Sequence, residues 1–77
     1  MDNQAVETMA RQMLMDMRRF MEQATSIVQA ADTCAGSGNV VSATRIVMDF
    51  EDPASRALEM FKAILLLKRE YHNDAFE

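Results

Sequence analysis

The 77-residue chain contains one cysteine, one proline, one tyrosine, two glycines and no tryptophan, and each shortage removes an option. A single cysteine closes no internal disulfide, and Cys34 with the single His72 makes no conventional His/Cys zinc site. With so little proline and glycine, the chain has few places to turn: Gly36 and Gly38 within "ADTCAGSGN" (31–39), and Pro53. There is no basic surplus, since eight Lys and Arg face twelve Asp and Glu for a net charge of −4. Nucleic acid is therefore disfavoured as a partner, because affinity there rests on basic surface. The longest purely apolar run, Ala63 to Leu67, falls far short of the ~20 residues of a membrane span. The opening residues Met1 to Gln4 lack the basic and apolar stretches of an export signal. Together with a free thiol, this sets the expectation of a cytoplasmic protein with no membrane partner.

What is present is apolar and helix-forming. Hydrophobic residues make up 49% of the chain, eight of them methionine, too many for a disordered segment. A chain this short buries only about 60% of its unfolded surface, so a metal, a disulfide or a second chain often completes the fold. The first two are disfavoured here, which leaves a well-packed helical monomer or, more economically, association with another chain.

Residues 3–31 read as one long helix. Val6, Ala10, Met13, Met17, Phe20, Ala24, Ile27 and Ala31 recur at alternating steps of four and three, the seven-residue pattern of a packed helix. Met9, Leu14, Met21 and Val28 widen the stripe beyond a two-stranded seam. Asp2 or Asn3 is placed to cap the start, and Glu7–Arg11 and Arg18–Glu22 are spaced as i,i+4 ion pairs. Residues 32–39 read as the joint, with Asn39 as cap of the next element. Residues 40–50 fit a short helix better than a strand, because an isolated strand finds no pairing partner in the chain. Asp52 as cap and Pro53 at the first helical position open a third helix over 53–72, and 73–77 read as a frayed tail. The expectation is an all-α single domain: a small bundle of one long and two shorter helices, completed by dimerisation. A return helix of 53–72 is shorter than the first, which predicts an uncovered overhang of about 15 Å.

No motif selects a family, and the candidate sites have plain readings. Gly36-Ser37-Gly38 lacks the third glycine and preceding strand of a dinucleotide loop, and the Gly-Lys-Ser/Thr of a phosphate loop. Cys34 has no resolving cysteine or base close in sequence, with Asp32 against a thiolate. His72, near a helix end, lacks an aligned partner for acid–base work. Asp49, Glu51 and Asp52 lack the spacing of a calcium loop, and the methionines lack the density of a copper motif. No catalytic, cofactor or metal residue is assigned. Methionine suits adaptable binding faces, so the expected interface is Val6, Met9, Met13, Met17, Phe20, Met21, Ile27, Met60, Leu66 and Leu67. The chain reads as a non-enzymatic protein-interaction module, homodimeric and bound to a further protein, acting sterically as inhibitor, adaptor, chaperone or assembly subunit. The alternative is a small nucleic-acid-binding regulator using Arg11, Arg18, Arg19 and Arg45.

Overall fold

A computed structural model describes residues 3–75. It is all-α: a long helix α1 (Asn3–Gly36), a short helix α2 (Val40–Val47), a 3-10 turn (Met48–Phe50) and a helix α3 (Glu51–Ala75).

α1 runs five residues past Ala31, so Cys34 is a helical residue and most of the expected joint is helix. The stop lies at Gly38, the residue with left-handed backbone (φ +93°). There the Gly38 N–H donates to the Ala35 carbonyl at 2.9 Å and the Asn39 N–H to the Cys34 carbonyl at 3.2 Å. These are the paired bonds that close a helix around a left-handed glycine. Asn39 then caps α2, its Oδ1 accepting the Ser42 N–H at 3.1 Å. The turn is three residues long.

The expected break before Pro53 does not occur. Val47, Met48 and Glu51 all keep right-handed helical backbone, so α2 passes through the 3-10 turn into α3 with no extended residue to serve as a cap. Asp52 sits inside the first turn and its carboxylate takes Arg56 Nε at 3.2 Å instead. Pro53 is buried there, in the first turn of α3, where proline is tolerated. α3 continues through residues 73–75, beyond the expected end at 72. The cap reading at Asp2 and the tail reading at Phe76 lie outside the described residues, as do the side chains of Tyr71 and His72.

Joined this way, the return arm from Val40 to Ala75 matches α1 in length, and no overhang remains. The molecule is a two-helix-thick hairpin measuring 54 × 16 × 14 Å. Its radius of gyration is 17.0 Å, against about 12 Å for a compact chain of this length. The buried hydrophobic residues are Val6, Ala10, Ala24 and Ala31 of α1, Ala43 of α2, and Ala57 and Leu67 of α3. Near the open end, Val6, Ala10 and Leu67 cluster, with Met13 packed on them. Along the remainder the buried hydrophobic residues are alanine, with Met17, Ile27, Ile46 and Ile64 half-buried beside them. Small side chains permit helix backbones to approach closely, and the larger neighbours stand on the flanks. Burial of a Leu or Phe contributes about 1.5–3 kcal/mol. Most of that is unrealised here, with Leu14, Leu58 and Phe61 roughly half exposed.

A candidate interaction surface along one flank

The two flanks of the hairpin are built from different rows of the same helices. On α1, stepping by seven gives Glu7, Leu14, Met21, Val28 and Ala35; on the return arm it gives Val40, Val47, Ala54, Phe61 and Lys68. Residues seven apart share a side of a helix. Leu14, Met21 and Val28 follow the buried-side row Ala10, Met17 and Ala24 by four residues, and Phe61 follows Ala57 by four. A rotation in the same sense on two antiparallel helices brings both rows out on the same side of the pair.

The groove near the turn shows this directly. It is lined by Val28, Ala31, Asp32 and Ala35 from α1 and by Val40, Ala43, Thr44 and Val47 from α2. Continuing the antiparallel register sets Met21 beside Ala54, Leu14 beside Phe61 and Glu7 beside Lys68. Leu58 and Leu65 widen the row on α3. The result is a strip running most of the length of the molecule, with four apolar levels and one charged level at the open end. Leu14 is 54%, Leu58 51% and Phe61 44% exposed. Arg18 borders the strip and is held by Glu22 at 2.9 Å.

The opposite flank is closed with polar groups. Arg56 places its guanidinium 5.9 Å from the centroid of Phe20, within reach of a cation–π contact, and pairs with Asp52 behind it. Asp16 accepts from Gln12 Nε2 at 3.1 Å and lies 3.8 Å from Arg19. On this side a charged group lies over Phe20, while Met9 stays 37% exposed.

The structure distributes the expected interface residues among three places. Val6 and Leu67 belong to the interior seam, with Met13 against them. Met17, Phe20, Ile27 and Met60 are half-buried. Met9, Met21 and Leu66 are exposed, and of these only Met21 lies on the strip; Leu66 turns outward and Met9 lies on the Phe20 side. Leu14 and Val28 widen the α1 stripe but stand outside the expected interface, and on the return arm Val40, Val47, Leu58 and Phe61 were missed. Their signal is the step of seven carried through Pro53, which is invisible when 40–50 and 53–72 are read as separate helices.

The remaining candidates stay apart. The Cys34 thiol is half-buried and donates to the Asn39 carbonyl at 3.4 Å. Ser37 Oγ donates to the Cys34 carbonyl, so the glycine loop spends its polar groups on closing itself. Among the described residues no three His, Cys, Asp or Glu side chains are placed to hold a metal, and no helix is long and apolar enough to cross a membrane. Of the arginines proposed for nucleic acid, Arg18 and Arg19 face carboxylates, while Glu7 and Arg11 do not pair. No protein-family model, curated protein or solved structure matches the chain.

Proposed function

We propose that this chain is a non-enzymatic protein-interaction module that acts by presenting its apolar flank to another protein. The observation that carries the reading is the row of large side chains, Leu14, Met21, Leu58 and Phe61, that stand about half exposed along one flank, whereas Phe20 on the other flank lies under Arg56. Contiguous apolar side chains on a surface mark interaction sites on small proteins. The action is steric, occupying or bridging a partner surface as an inhibitor, adaptor, chaperone or assembly subunit does.

Affinity capture from the native cell extract tests it. Wild-type chain retains a specific partner, Phe61→Glu loses it, and Leu66→Glu on the outward surface keeps it. Retention unchanged by Phe61→Glu removes this flank from the account. A biological activity abolished by Cys34→Ser or His72→Ala with the fold intact points to chemistry in place of binding.

A further inference from the structure

We infer that the occupant of the strip is a second copy of this chain, packed with both turns at the same end to give a four-helix bundle whose charged level pairs Glu7 with Lys68 of the partner subunit. This rests on the reading that the flank is a protein-binding surface, and it names the protein.

Three observations carry it. The chain exposes 5763 Å², whereas a compact monomer of 8.7 kDa exposes about 4,700 Å². The surplus of about 1,000 Å² is close to the ~800 Å² that each partner contributes to a stable interface. Second, the missing piece has the shape of the hairpin itself. Two antiparallel helices with an apolar flank are half of a four-helix bundle, and another hairpin is the layer of equal length that completes it.

Third, the order of levels fixes the direction. A two-fold axis along the hairpin keeps every level opposite its own copy, so α1 of one chain lies against the return arm of the other. Leu14 then meets Phe61 of the partner subunit, and apolar levels face only apolar levels. At the open end, Glu7 meets Lys68 of the partner subunit twice over. Neither residue forms an ion pair within its own chain among the described residues. Reversing one hairpin either sets the charged level against the apolar groove or slides it past the partner's end unpaired. Same-end packing satisfies charge and apolar contact together.

Sedimentation equilibrium of the full chain with a spin-label distance measurement tests the inference. The expected mass is twice 8.7 kDa at micromolar concentration, and Phe61→Glu lowers it to the monomer value while Leu66→Glu does not. Lys68→Glu raises the dissociation constant about tenfold by setting like charges opposite, and adding Glu7→Lys restores it; both positions are exposed, so the fold tolerates the swap. Nitroxides at Ser37→Cys in a Cys34→Ser background lie roughly 20 Å apart in the same-end pair, against roughly 40 Å if one hairpin is reversed. A monomer, a larger assembly or the long distance overturns the inference. A monomer that still captures a partner through Phe61 leaves the binding function standing and removes only the second copy. Absence of both self-association and capture removes the function itself.

Discussion

The two flanks of the hairpin use similar materials and reach opposite surfaces. Both carry large apolar side chains at seven-residue spacing on α1: Leu14, Met21 and Val28 on one side, Phe20 and Ile27 on the other. The difference lies across the seam. Opposite Phe20 the return arm offers Arg56, whose guanidinium stacks on the ring and is steadied by Asp52. Opposite Leu14 it offers Phe61, and both stay half exposed. A cation laid over an aromatic ring leaves a surface that water tolerates, whereas two apolar side chains abreast leave one that water disfavours. An apolar row stays exposed through what its neighbour fails to cover.

This contrast breaks most sharply under charge insertion. Phe61→Glu is expected to weaken association at least ~100-fold, since a buried unpaired carboxylate costs several kcal/mol, while Leu66→Glu changes it less than twofold; sedimentation reads both. The seam shared by the flanks comes next. Ala24→Leu or Ala57→Leu forces the helices apart and costs about 1–3 kcal/mol, measured by urea unfolding. A variant as stable as wild type shows that the close approach is not what expels the larger side chains. Thermal unfolding at several protein concentrations sharpens the comparison further. Leu14→Ala lowers the midpoint by an amount that grows with concentration if the strip is covered, whereas Arg56→Ala on the other flank costs only about 0.5–1 kcal/mol at every concentration.

The smallest effects belong to the turn that sets both flanks in register. Gly38→Ala has open space around the added Cβ but must hold φ at +93°, so it costs about 1 kcal/mol. Gly36→Ala, equally unobstructed and helical, gains roughly 0.5–1 kcal/mol. If the two changes act alike in chemical denaturation, Gly38 is not the residue that stops α1.

Much of the fold is legible in residues alone. The α1 periodicity, the cap at Asn39 and the Arg18–Glu22 pair all follow from spacing, because each is a contact within a few residues on one helix. Legibility ends where two segments meet. Asp52-Pro53 reads as a fresh start since that pair so often opens a helix. The preceding Met48–Phe50 turn carries the chain through without an extended residue, and it joins Val40 and Val47 to Phe61 in one row. Val6 and Leu67 read as interface because they are apolar; only their meeting across the hairpin shows that they serve the interior.

What the amino-acid order determined by itself is helicity, the stop near the paired glycines and the seven-residue rows, since hydrogen bonds and side-chain spacing within a helix depend on near neighbours. Which row lies inside was decided by tertiary structure. Two helices can approach along any pair of apolar rows, and the alanine rows bring the backbones closest. Packing there leaves the larger side chains at the edge, about half exposed.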